Sequence, residues 1–331
     1  MQAGQVNVIP QAEGLTICFA HVAYQLAARF ALRRSGIAHF EVRTAKELRR
    51  RIGEADVLVV SGLWQNELLD RAGRLRFIQS IGAGTDQFPR EALRGRGIRL
   101  ASASGVNARA VAEHAMALIL AMARRLPEAR DNQARHVWRG MIGDLAQRED
   151  ELGGKTLIVV GLGAIGGRLA QLAKAFDMRV VALRRNPQSG AGAADRVLGI
   201  GGLGEALPEA DFVALACPLT PETENLIDAA ALARMKPGAF VVNVARGRVV
   251  DEAALIAALQ AGRIAGAALD VTIEEPLASS SPLWDMPNVL ISPHTASHSL
   301  GQNEAIFEIF LENLARFRSG EKLRNDVDDL G

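Results

Sequence analysis

Only two cysteines occur in the 331 residues, Cys18 and Cys217. They lie far apart, each inside an apolar run, which argues against a disulfide framework and against a cysteine zinc site. An excess of charge of either sign is missing too: 38 Lys and Arg stand against 37 Asp and Glu. No global field therefore draws the protein toward nucleic acid or an anionic membrane surface. No apolar run approaches the roughly 20 residues needed to cross a bilayer. From Met1 to Gly14 there is no basic region followed by an apolar core, the pattern of a secretory leader. Together these absences lead us to expect a cytoplasmic protein in a reducing compartment, with a small molecule as its partner and no nucleic acid, membrane or metal.

What is present is the composition of an ordinary globular protein, 49% hydrophobic and 23% charged, at about twice the usual length of one domain. In the first hundred residues, β-branched runs read as strands at Leu15–Phe19, His39–Arg43, Val57–Val60, Phe77–Ser80 and Ile98–Ala101, with helical patterns such as Val22–Ser35 between several of them. Such alternation implies parallel strands joined by helical crossovers. Asn107–Leu126 reads as the longest helix, with Pro127 at its end or kink. A second alternation follows, with strands at Thr156–Val160, Arg179–Leu183, Phe212–Ala216, Ala239–Asn243, Ala265–Asp270 and Val289–Ser292. Ser189–Gly204, rich in Gly and Ala, is expected to loop over the surface. A last helix near Gly301–Arg318 is expected to pack back on the first domain. The fold class is thus α/β, with two doubly wound parallel-sheet domains: residues 1–104 with 299–331, and residues 105–298.

Gly161-Leu162-Gly163-Ala164-Ile165-Gly166 directly follows the apolar run Leu157–Val160 and opens a helix-compatible segment from Gly167 to Phe176. In that setting the first glycine permits a tight turn, the second lets backbone amides approach a pyrophosphate at a helix N-terminus, and the third allows close helix–strand packing. An NAD site usually has Asp or Glu at the end of the next strand; here Val180–Leu183 runs into Arg184-Arg185-Asn186. Two guanidinium groups suit a 2′-phosphate, so NADP(H) is expected over NAD(H), unless both arginines are merely solvated.

Exchange of hydride between such a dinucleotide and a small carbonyl acid would need a cation for the carboxylate, a proton donor, and a group that tunes that donor. Each has a candidate just past a predicted strand of the second half, where ligands of doubly wound sheets collect. Arg246 is the cation, with Arg248 competing. His294, in Ser292-Pro293-His294-Thr295, is the donor. Glu275, in Asp270-Val271-Thr272-Ile273-Glu274-Glu275-Pro276, would stabilise its imidazolium. His114, amid Ala and Met on the long helix, reads as packed or supporting; His21, His39, His136 and His298 read as surface residues, and Trp138 and Trp284 as packing residues.

The glycine motif, Cys217-Pro218-Leu219-Thr220-Pro221-Glu222-Thr223, Asn243-Val244-Ala245-Arg246-Gly247, Ala268-Leu269-Asp270-Val271 with Glu275-Pro276, Ser292-Pro293-His294 and Val111-Ala112-Glu113-His114 occur in one order along nearly the whole chain. In that order they resemble the D-2-hydroxyacid dehydrogenase family, in its glyoxylate/hydroxypyruvate reductase-like form. The resemblance implies a flavodoxin-like substrate domain beside a Rossmann dinucleotide-binding domain, and an oxidoreductase moving hydride between a nicotinamide and the C2 of a small 2-oxo or 2-hydroxy acid in a cleft between domains. It implies that Arg246 binds substrate, that Glu275 tunes His294, and that His294 donates or accepts the proton. Position directly before Pro276 favours Glu275 over Glu274. It also implies that Asp270 orients the carboxamide, that Cys217, Pro218, Val244 and Ala245 border the cofactor, and that Gly161, Gly163, Ala164, Ile165 and Gly166 bind its pyrophosphate. In Ser80-Ile81-Gly82-Ala83-Gly84-Thr85-Asp86 it makes the amides of Ala83 and Gly84 carboxylate ligands, although these glycines can also be read as a simple turn. The lysine of the related phosphite-oxidising branch is missing from that loop. A homodimer is implied, in which a tryptophan such as Trp138 can reach a neighbouring active site. The other class of function left open is a dinucleotide-sensing corepressor with little turnover.

Overall fold

The structure, a computed structural model, describes residues 14–327, so the reading of residues 1–13 as free of a leader lies outside the described residues. The chain divides into two units, one running up to Asn107 and resuming at Ser299, the other spanning Ala108–His298.

The first unit carries β1 (Thr16–Ala20), α1 (Leu26–Leu32), β2 (Ala38–Val42), α2 (Ala45–Arg51), β3 (Val57–Val60), β4 (Phe77–Ser80), α3 (Arg90–Gly95) and β5 (Arg99–Ala101). Its sheet is wholly parallel, in the order β2-β1-β3-β4-β5. Strand alternation sends Ile17, Phe19, Val57 and Val59 to one face, against Phe30, Phe307 and Phe310. Cys18, Leu58, Val60 and Ile78 go to the other, against Leu48 and Leu93.

The second unit carries α4 (Ala108–Ala123), α5 (Leu126–Ala134), β6 (Thr156–Val160), α6 (Ala164–Ala175), β7 (Arg179–Leu183), β8 (Arg196–Leu198), α7 (Leu203–Ala206), β9 (Phe212–Leu215), α8 (Ala229–Arg234), β10 (Phe240–Asn243), α9 (Glu252–Gln260), β11 (Gly266–Leu269) and β12 (Val289–Ile291). Seven parallel strands run β12-β11-β10-β9-β6-β7-β8, so the order reverses between β6 and β9. Leu157 and Val159 face Ile119 of α4 and Leu169 of α6; Ile158 and Val160 face the side of Leu232 and Leu255. Coverage on both faces explains why these strands read as unbroken apolar runs. The last helix, α10 (Gln302–Ser319), belongs to the first unit, where Ile306, Phe307 and Phe310 complete a core.

Several sequence expectations are corrected. The helix expected at Val22–Ser35 begins only at Leu26, because the Gln25 amide is held by Asn303 Oδ1 of α10 at 3.1 Å. Pro127 does not end the long helix. Arg125, at φ +49, interrupts the helix after α4, and Pro127 falls in the first turn of α5, where its missing N–H costs nothing. Within the expected loop Ser189–Gly204, Arg196–Leu198 pairs with β7 as an edge strand. The helix after the glycine motif starts at Ala164, not Gly167. His21 is fully buried, at the end of β1 under Tyr24, rather than on the surface. Trp138, read as a packing residue, is instead 98% exposed, whereas Trp284 is half exposed and donates to the Ala278 carbonyl at 3.0 Å. No helix among the described residues is long and apolar enough to cross a membrane.

Candidate active site

The reversal point between β6 and β9 holds the glycine motif. Gly161, at φ +98, lies so close to the neighbouring strand end that a methyl group there would sit 2.7 Å from the Cys217 Cα. At Gly166 a methyl would overlap the Gly161 carbonyl and lie 2.9 Å from Val159 Cγ1, so this glycine serves helix–strand packing. Gly163, the N-cap of α6, is different: a methyl there would meet nothing within 4 Å. Open space beside an uncapped helix N-terminus of twelve residues is what a pyrophosphate requires. Ala164 and Ile165 form the first turn. The residues present therefore fit a dinucleotide.

The facing loop after β9 is braced by Thr223, which the sequence reading quoted in a motif but gave no role. Its hydroxyl donates to the Pro218 carbonyl at 2.7 Å and accepts from the Thr220 amide at 2.8 Å. Past β7 the two arginines diverge. Arg184 donates to the carbonyls of Ser189 and Gly190 at 3.1 and 3.0 Å, shaping its own loop. Arg185 is exposed, and its charge reaches Glu222.

Past β10, β11 and β12 the structure brings Arg246, Glu275 and His294 together. His294 Nδ1 lies 2.6 Å from Glu275 Oε2. That hydrogen bond, opposed by burial and reinforced by the carboxylate charge, raises the His294 pKa above the ordinary histidine value. For Glu275, burial pushes upward, but the His294 contact, the Thr272 amide and the Arg246 charge outweigh it and hold the carboxyl below its usual range. With Nδ1 committed to Glu275, Nε2 on the opposite edge of the ring is the nitrogen on which a second proton would reside. Glu274 contributes only its carbonyl, which accepts from Thr272 Oγ1 at 2.7 Å. Arg248 pairs with Glu224 instead.

Two residues that the sequence reading quoted without a role set this geometry. Buried Asn243 donates to the Arg246 carbonyl at 2.9 Å and accepts from the Ala245 amide at 3.0 Å, closing the turn that follows Val244. Gly247 abuts Thr272 so tightly that any side chain would overlap its carbonyl group. Asp270 is buried at the end of β11, its carboxylate accepting from Ser292 Oγ at 2.6 Å and from the Thr295 and Ala296 amides at 3.0 Å each. Ala83 and Gly84 belong to the other unit, in the turn after β4, where the Gly82 carbonyl accepts from Ser80 Oγ at 3.2 Å and the Ala103 amide at 3.0 Å. No cluster of His, Cys, Asp or Glu that could hold a metal occurs among the described residues.

Residues 116–296 match the family described as D-isomer specific 2-hydroxyacid dehydrogenase, NAD binding domain. The glyoxylate reductase of Pyrococcus furiosus is 38% identical over 285 residues, covering 83% of each chain. This chain belongs to the D-isomer specific 2-hydroxyacid dehydrogenase family. As a member of it, the protein is an oxidoreductase acting on CH–OH groups with a nicotinamide dinucleotide. Among solved structures, an NADPH-dependent glyoxylate/hydroxypyruvate reductase from Sinorhizobium meliloti, in complex with NADP and malonate, superposes with a TM-score of 0.81 at 27% identity, covering 95% of this chain and 97% of that one. A D-lactate dehydrogenase from Aquifex aeolicus, complexed with NAD and lactic acid, gives 0.81 at 25% identity over 92% and 96%. Kinship alone therefore does not choose between NADP and NAD.

Proposed function

We propose that the protein is an NADP(H)-preferring reductase of small 2-oxo acids of the glyoxylate and hydroxypyruvate class. The observation that carries this reading is the 2.6 Å contact of His294 with Glu275, with the Arg246 charge acting on both, at adjacent strand ends. The substrate class draws on the Pyrococcus and Sinorhizobium relatives.

When bound, the cofactor supplies the hydride exchanged between nicotinamide C4 and substrate C2. Arg246 binds the substrate carboxylate and stabilises the oxyanion that develops on its carbonyl oxygen. His294 hands the Nε2 proton to that oxygen in reduction and takes it back in oxidation, while Glu275 keeps the ring oriented and favours its charged form. Asp270 faces the carboxamide, Val244, Ala245, Cys217 and Pro218 border the ring, and the amides of Ala83 and Gly84 keep their implied role as carboxylate ligands. Arg185 takes the 2′-phosphate, with Arg184 holding the loop in shape.

The chain also works as a homodimer in this reading. Trp138 and Met141, 98% and 92% exposed, form with Val137 and Leu145 an apolar stretch suited to a second copy. A panel of 2-oxo acids assayed with NADPH and NADH tests the core of the proposal. Turnover of glyoxylate or hydroxypyruvate, faster with NADPH and abolished in His294→Ala with cofactor binding retained, is expected. Dinucleotide binding without turnover of any 2-oxo acid favours the corepressor alternative.

A further inference from the structure

We propose that His114 is a positioning residue for His294, acting through Ser292 and Asp270. This rests on the assignment of His294 as the proton carrier.

Residues 292–296 wrap around one buried carboxylate. Asp270 Oδ1 accepts from the Ser292 hydroxyl and the Thr295 amide, Oδ2 accepts from the Ala296 amide, and the Asp270 carbonyl accepts from the His294 amide at 2.8 Å. His294 stands at the bend with φ +54. A left-handed backbone is unfavourable for a residue with a side chain and persists only where its surroundings impose it. Here the surroundings are the hydrogen bonds to Asp270.

Valence then fixes the direction of the remaining bond. A carboxylate only accepts, so the Ser292 hydroxyl proton lies on the Asp270 side. The hydroxyl lone pair is left facing His114 Nε2, 2.9 Å away, and that nitrogen must carry a hydrogen. His114 donates to Ser292, and Ser292 donates to Asp270, each bond polarising the next. The same ring nitrogen lies 3.5 Å from Asp270 Oδ1, so its partial positive charge also faces the carboxylate. His114 sits on α4, whose Ala115, Met116, Leu118 and Ile119 are built into the sheet core. The chain thus ties the strained His294 segment to a rigid helix rather than to another loop. The His114 and Ser292 protons are directed to Ser292 and Asp270, so their influence on His294 falls on where Nε2 stands.

The test uses the full-length protein with NADPH and its best 2-oxo acid. His114→Leu keeps the packing and removes the donor, whereas His114→Gln can place an amide N–H near Nε2. We expect kcat to fall about tenfold in His114→Leu, the rate equivalent of one hydrogen bond. KM and the cofactor Kd, read by nucleotide fluorescence, should stay near wild type, and His114→Gln should restore most of kcat. Ser292→Ala should lose as much as His114→Leu, with the double variant no worse. Unchanged kcat in His114→Leu, equal impairment in His114→Gln, or additive losses would each overturn the relay. If His114→Leu does not fold, Ser292→Ala against Ser292→Thr poses the same question, with equal kcat in the two as the refuting result. Turnover surviving in His294→Ala overturns the proton-carrier assignment itself; an inactive His294→Ala beside a fully active His114→Leu overturns the relay alone.

Discussion

Replacing Gly247 by alanine should damage the site without touching any group that handles substrate. Gly247 has no left-handed backbone, so alanine brings no conformational penalty, and the effect is purely one of space. The added methyl would overlap the carbonyl group of Thr272 and press on the Ile273 amide, whereas ordinary contact begins at 3.4 Å. Neither neighbour is a flexible side chain, so one backbone segment must retreat by more than an ångström. On one side of that contact is Arg246, on the other the Thr272 amide that donates to Glu275 Oε1 at 3.2 Å. Separating them moves Arg246, the proposed substrate cation, relative to the proposed acid–base pair of His294 and Glu275. Overpacking of this kind costs about 1–3 kcal/mol of stability. Misplacing reacting groups by an ångström costs on the order of 100-fold in rate. Thermal melts, steady-state reduction kinetics and cofactor titration of Gly247→Ala separate the two effects. The expected pattern is a modestly lowered Tm, kcat/KM down about 100-fold, and a nearly unchanged cofactor Kd. A variant with wild-type kcat/KM would refute the claim that this contact sets the spacing of Arg246 and Glu275.

Gly163→Ala should show the opposite pattern. Nothing lies within 4 Å of the new methyl, so Tm should hold while dinucleotide affinity falls, and retained affinity by fluorescence titration would count against pyrophosphate binding there. Glu275→Gln should change the pH profile: the raised His294 pKa means that reduction is fastest below that pKa and declines as pH climbs through it, and without the carboxylate the decline should move to lower pH. Initial reduction rates across pH would contradict this if the two profiles coincided. His21 should make the fold acid-sensitive. Burial, helped by Arg43 and opposed by Glu41, lowers its pKa, so the folded state binds protons less readily than the unfolded one. Stability is then full above the unfolded value of 6.5 and is lost as pH falls below it toward the folded value. His21→Phe should flatten the Tm-against-pH curve over that range, and an unaltered slope would be the refuting result.

How far the sequence could be read depended on whether a residue's role is local or set by distant partners. The central strands were readable because parallel strands covered on both faces must be apolar throughout, and Thr156–Val160 and Arg179–Leu183 stand where their hydrophobic runs placed them. The strand after the second of them was not, since Arg196–Leu198 is a three-residue edge set among glycines and alanines, with no periodicity to detect. α5 escaped for a similar reason: none of its residues is buried, so it carries no apolar stripe. At the site, Arg246, Glu275 and His294 could be picked out because each follows a strand, strand ends gather on one edge of a parallel sheet, and each lies in a run that resembles the family's motifs. What holds them could not. Gly247 matters through a contact with Thr272, and His114 through a hydroxyl 178 residues away. A lone histidine on an Ala-rich helix looks the same in sequence whether it fills space or directs a hydrogen bond. His21 shows the converse, a histidine read as a surface residue that stands just past β1 in the interior. The residues proposed to perform chemistry are constrained by type and local order, whereas those proposed to place them are constrained only by the fold, and so become visible only when the chain is closed on itself.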